Sequence, residues 1–158
     1  MKKIFVVLNL LLLMLAFGYS VIKEERNLKQ ETFYIKTVPV DPRSLIQGDY
    51  MILNYDITES ARKEARGLRK GYIRVRINDL KVAEFVRVDN KYLPSSDNEI
   101  SIQFHQNNST MDIGVNSYLF QEGTGNRFQK AQYAEVIELK NGELRLKHLL
   151  DRNFDRIK

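Results

Sequence analysis

The residues whose types and spacing could do chemistry crowd into one segment, PVDPRSLIQGDYMILNY, residues 39–55. Asp41, Arg43 and Asp49 supply charges of both signs, and Tyr50 and Tyr55 supply rings. Pro39 and Pro42 fix φ, and Gly48 admits a turn at positive φ, so the loop can hold its groups at low entropic cost before a strand begins at Tyr50. Such a loop can set Asp41, Arg43 and Asp49 around a bound group, with Tyr50 or Tyr55 stacked on it. The same residues also suit a structural task. Asp49 can accept backbone N–H groups across the loop, Arg43 can pair with an aspartate, and Tyr50, Leu53 and Tyr55 can fill the core or its rim.

Other chemistry has little to work with. The chain has no cysteine, which excludes disulfides, a cysteine nucleophile and thiolate metal sites. His105 and His148 show no ligand spacing. Asp41, Asp49 and Glu122 could meet around calcium only if the fold gathered them, and nothing in the sequence does so, so no metal and no cofactor is expected. Gly123 and Gly125 could open an anion cradle, but Glu122 would oppose the anion and a tight turn is the simpler role. The run Arg62, Lys63, Arg66, Arg69 and Lys70, interrupted by Glu59 and Glu64, reads as the solvated side of a helix, with contact to anionic headgroups or an acidic partner as the functional alternative. Asn107 and Asn108 open two overlapping sequons, which mark an exposed loop. Net charge is +5, to which Lys2 and Lys3 contribute two, too mild an excess to suggest nucleic-acid binding.

Residues 4–22 carry no charge and only Asn9 and Ser20 as clearly polar side chains. As a helix they would reach about 28 Å, the thickness of a bilayer core. A cleaved signal peptide competes, with Lys2 and Lys3 as its basic head, but its apolar part would run only about 7 to 15 residues. The reading is a transmembrane anchor over 1–22, a charged stalk over 23–30 and a domain over 31–158. That domain is mainly β, a mostly antiparallel barrel or sandwich with one or two short helices. Strands are expected over 33–38 and 50–57, then a helix from a Thr58 cap through about Arg69 with Ala61, Ala65 and Leu68 inward and Gly71 past its end. Ile73, Val75 and Ile77 alternate with Arg74 and Arg76, and Leu80, Val82, Val86 and Val88 share a parity across an Asn78-Asp79 turn, which predicts a hairpin. Ile100, Ile102 and Phe104 alternate in another strand, 113–121 continues as a strand with Gly114 inside it, and 126–132 suits one helical turn. Strands over 133–139 and 144–150 flank Asn141-Gly142, a type I′ turn signal.

Gly48, Asp49, Tyr50, Leu53 and Tyr55 spell out the pattern of the GDYXXLXY family of membrane-anchored bacterial proteins, and the chain resembles that family. Residues 113–149 resemble its second block, in which a strand with two aromatics enters a Glu-Gly turn and a short helix; Tyr118, Phe120, Glu122, Gly123 and Gly125 are the matching residues. The family carries no established reaction. The resemblance implies a partner among multi-spanning membrane proteins, and it adds Tyr118, Glu122 and Gly123 to Asp41, Arg43, Gly48, Asp49, Tyr50, Leu53 and Tyr55 as candidate ligand- or partner-binding residues. Pro42, Leu45, Gly48 and Asp49 are also similar to the start of the β-domain of bacterial signal peptidases. Those enzymes place a serine shortly before the proline; here Ser44 follows it, without a lysine base in a matching box.

Together these readings lead to a single-pass protein of the cytoplasmic membrane, held by the bilayer through 4–22 with its C-terminal domain outside the cytoplasm. The weak positive-inside signal of Lys2 and Lys3 favours that orientation. The expected role is a non-catalytic binding or accessory module, against a ligand-sensing domain or, third, a signal-peptidase-like hydrolase or its degenerate relative.

Overall fold

The computed structural model describes residues 2–28, 31–38, 50–96, 98–107, 110–121 and 123–158, with side chains from Val6 to Ile22 in the first stretch. The chain divides into two compact units, 1–30 and 31–158. The first is a helix, α1 (Lys2–Leu28), which continues through much of the stretch expected to be a stalk. Among the described residues no helix is long and apolar enough to cross a membrane, so the expected transmembrane span stands here as a helix only.

The second unit is mainly β and antiparallel. One four-stranded sheet has the order β10-β9-β1-β3, formed by β1 (Thr32–Val38), β3 (Asn54–Tyr55), β9 (Tyr133–Glu138) and β10 (Leu144–Leu150). The other has the order β5-β4-β6-β7, formed by β4 (Lys70–Ile77), β5 (Ala83–Asp89), β6 (Glu99–Gln106) and β7 (Met111–Asp112). A two-stranded ribbon joins β2 (Tyr50–Ile52) to β8 (Ser117–Leu119). Alternating apolar residues of both large sheets meet in one core, Phe33 and Ile35 from β1, Ile73 and Val75 from β4, Ile102 and Phe104 from β6. At one corner the sheets touch through a parallel bridge between Tyr34 and Val82, with the Tyr34 N–H donating to the Lys81 carbonyl at 2.8 Å.

Helix α2 (Asp56–Glu64) lays Ile57 and Ala61 on this core, and Ala65 beyond its end is also buried. It starts two residues earlier and stops sooner than the sequence pattern predicts. Thr58 does not cap it but donates back to the Tyr55 carbonyl at 2.7 Å. Gly67, at φ +86°, ends the helical path, while Gly71 belongs to β4. Helix α3 (Gly125–Phe128) is the expected short turn.

Three strand readings change. Residues 50–57 do not form one strand, because the chain leaves the ribbon at Ile52 and joins the first sheet at Asn54, and Asp56 is already helical. Residues 113–121 are not continuous either: Gly114, at φ +81°, turns the chain between β7 and β8. In the β4–β5 hairpin Arg74 pairs with Arg87 but Val75 pairs with Phe85, so Val86 is the extra residue of a bulge. The bulge reverses the side-chain parity. Phe85 and Val88 therefore pack on the core, and Leu80 is exposed.

The Asn141-Gly142 turn forms as expected, with both residues at positive φ, 62° and 82°. Glycine is required there on a second ground, since a Cβ on Gly142 would lie 2.3 Å from the Ser101 carbonyl oxygen. The largest departure is Arg74. Alternation with Ile73 and Val75 puts it on the outer face, yet it is buried under the segment 93–96. Its guanidinium donates to Glu99 Oε2 (3.1 Å), Ser101 Oγ (2.9 Å), Ser96 Oγ (3.1 Å) and the carbonyls of Leu93 and Pro94. Glu99 is also held by Arg76 at 2.9 Å, and these two arginines keep its carboxyl below the usual carboxylate range.

Candidate functional site

Asp41, Arg43, Gly48, Asp49 and Glu122 lie outside the described residues, as does Ser44. Of the remaining candidates, Tyr50 and Tyr118 lie on the two strands of the ribbon. Tyr50 faces Leu119 across the ribbon, Met51 faces Tyr118, and Ile52 faces Ser117. Alternation then sorts them. Met51 turns inward with the half-buried Tyr118, while Tyr50, Ile52 and Leu119 remain 42%, 47% and 77% exposed. They form an apolar outer face on the ribbon.

Leu53 and Tyr55 are buried in the core. The Leu53 N–H donates to the Asn116 carbonyl at 2.8 Å, and the Tyr55 hydroxyl donates to the Val115 carbonyl at 2.6 Å. Burial pushes the Tyr55 phenol well above its ordinary value, and the nearby Asp112 carboxylate adds to the shift, so the hydroxyl stays a donor. Stacking on a bound group is thus excluded for Tyr55 and stays geometrically open for Tyr50.

The receiving turn, 113–116, is built from its own side chains. Asp112 Oδ1 accepts the Gly114 N–H at 2.7 Å, and Asn116 Oδ1 accepts the Ile113 N–H at 3.0 Å. Val115 and Asn116 were absent from the sequence-derived candidates; the Asp112-x-Gly114 spacing was the one local signal of this turn. Downstream, Phe128 is buried between Tyr118 and Phe120, with ring centroids 5.1 and 5.5 Å away. Gly123 turns at φ +79°, and Gly125 lies so close under the Phe120 ring that a Cβ would approach it to 3.1 Å. Tyr118 and Gly123 therefore shape the second block rather than present a reactive group.

A cleft of about 480 Å³ opens between α2 and the turn 113–116. It is lined by Ile52 and Asn54, by Glu59 and Arg62 of α2, and by Asp112 and Ser117. Arg62 is the member of the basic run that contributes here, while Lys63, Arg66, Arg69 and Lys70 are solvated. A second cleft, about 520 Å³, holds Glu138, whose carboxylate accepts the Ser95 hydroxyl at 3.0 Å and whose carboxyl is raised by burial. Among the described residues no three potential ligands gather as a metal site, and no lysine is buried. His105 is exposed; His148 is half-buried, and its imidazole is lowered first by burial and then by Arg156.

Searches of curated proteins and of solved structures return no match. A family model described as GDYXXLXY protein matches residues 12–149, a span that holds both blocks and the contacts between them. The tyrosine and leucine of the namesake pattern that lie inside the core, bonded to the turn that opens the second block, are Tyr55 and Leu53 of this chain, which belongs to the GDYXXLXY protein family.

Proposed function

We propose that this protein is a single-pass, membrane-anchored, non-catalytic binding or accessory module. In this reading residues 4–22 lie in the bilayer, the β domain lies outside the cytoplasm at the inner membrane, and the partner is a multi-spanning membrane protein. The observation that carries it is α1. Its 27 residues, about 40 Å as a helix, contain the uncharged run 4–22, and the large apolar side chains from Val6 to Ile22 are exposed rather than confined to one packed stripe. A helix apolar on every side needs an apolar surrounding. The exposed ribbon face of Tyr50, Ile52 and Leu119 supports a protein partner, because contiguous apolar surface marks interaction sites.

Carbonate extraction of membranes from cells making the full chain tests the anchor: the protein should stay in the pellet with its N-terminus intact. A mature chain beginning near Val21, or release into the supernatant, would sink it. Crosslinking from intact membranes tests the partner, which should be a multi-spanning protein whose capture is lost with Tyr50→Ser and Leu119→Ser. The polar cleft beside Asn54 favours a second reading, a ligand-sensing domain on the same anchor.

A further inference from the structure

We infer that the cleft between α2 and the turn 113–116 is a binding site for an extended peptide segment carrying a basic side chain. It opens where two sheets end. Asn54 belongs to β3, the edge strand of one four-stranded sheet, and Met111 and Asp112 form β7, the edge strand of the other. An edge strand offers main-chain N–H and C=O groups to an added strand, and a segment of three residues spans about 10 Å at the rise of a β-strand. The volume of about 480 Å³ lies in the range of ligand sites and accommodates such a segment. One groove-side group is partly engaged: the Met111 carbonyl accepts the Asn116 amide at 3.4 Å, a bond long enough to yield to a better donor.

The lining selects the kind of peptide. Among the described residues the lining contains no aromatic ring, which disfavours a stacked base or sugar, and the charged groups are the carboxylates of Glu59 and Asp112 and the guanidinium of Arg62. The balance favours a cationic side chain between the two acids. The namesake pattern points the same way. Leu53 and Tyr55, which it specifies, are buried and hold the cleft walls in register, while Ile52 and Asn54, which it leaves open, line the cleft. The frame is thus separated from the surface that would choose the ligand. This inference goes beyond the anchored-module reading and does not depend on it: carbonate extraction tests the anchor, and peptide binding tests the cleft.

The chain contains no tryptophan, so a peptide with one tryptophan reports binding by its own fluorescence. The probes are acetyl-Val-Lys-Val-Trp-amide, its Val-Glu-Val-Trp counterpart, and the lysine peptide methylated at alternate backbone nitrogens. Each is titrated into the full chain in detergent micelles, with protein-free micelles as the blank. The lysine peptide should bind saturably, and the glutamate and methylated peptides each about tenfold more weakly. Glu59→Gln combined with Asp112→Asn, which keeps an acceptor for the Gly114 N–H, should bring the lysine and glutamate peptides within about twofold of each other with the thermal melt unchanged. Equal affinity of the wild-type chain for lysine and glutamate peptides, undiminished binding of the methylated peptide, or no saturable binding at millimolar concentration would each overturn the assignment.

Discussion

Two polar arrangements inside the β domain differ in what they bury. At the motif corner, the buried Tyr55 hydroxyl and the Leu53 backbone N–H tie this segment to the turn 113–116. On the outer face of β4, Arg74 gathers a carboxylate, two hydroxyls and two carbonyls beneath the segment 93–96. The first uses neutral donors, each worth about 1 kcal/mol net. The second buries a full charge, which is tolerable because each of its three nitrogens finds an acceptor. A neutral corner can lose one bond and remain folded, whereas the arginine network fails as a unit.

Breaking the network should therefore give the largest effect. Arg74→Ala is expected to cost about 3 to 5 kcal/mol, because it empties a buried site and strands its acceptors; urea unfolding measures this, and a loss comparable to that of a surface substitution would show that segment 93–96 closes over the gap. Tyr55→Phe at the motif corner should cost about 1 to 3 kcal/mol, the price of an unpaired Val115 carbonyl, with little change in the far-UV spectrum. A loss as large as that of Arg74→Ala would erase the contrast.

Acid sharpens the comparison further. Arg76 and Arg74 depress the Glu99 carboxyl in the folded state, so its contribution is complete above the unfolded carboxylate value and disappears as pH falls through the folded one. Between about pH 5 and pH 2 the melting temperature of Glu99→Gln should fall less steeply than that of the wild type. Parallel melting curves would mean that the arginines hold Glu99 no better in the folded chain than in the unfolded one. The smallest stability effect is expected on the ribbon: Tyr50→Ser with Leu119→Ser should change stability within about 0.5 kcal/mol each, since both side chains are exposed, while abolishing partner crosslinking. A clear destabilisation with crosslinking intact would make the ribbon face part of the frame.

Legibility in the sequence followed the range of the interaction. The Asn141-Gly142 turn, the inward alternation of Ile102 and Phe104, the burial of Ala61 in α2 and of Ala65 just past it, and the short helix near Phe128 all depend on residues a few positions apart, and all appear where the pattern puts them. Of the candidate residues, Tyr50 and Tyr118 lie on the paired strands of the ribbon while Leu53 and Tyr55 are buried in the core, and this division into an exposed ring and a buried frame was not readable, because Tyr50 and Tyr55 both carry the same side chain in the same short stretch.

What the sequence determined by itself is a mainly antiparallel β domain behind an apolar helix, its turns, and membership in a family through two separated blocks. Period-two alternation and glycine chemistry are local, so they survive without knowledge of neighbours. The tertiary structure alone decided that residues 50–55 pass from one sheet to another, that Val86 bulges and reverses the parity of β5, that Arg74 is covered, and that α2 and the turn 113–116 enclose a cleft. Each of these depends on which distant backbone lies alongside. Arg74 shows the physical reason: a strand's alternation states which side chains share a face, but whether that face meets water or segment 93–96 depends on a chain segment about twenty residues away.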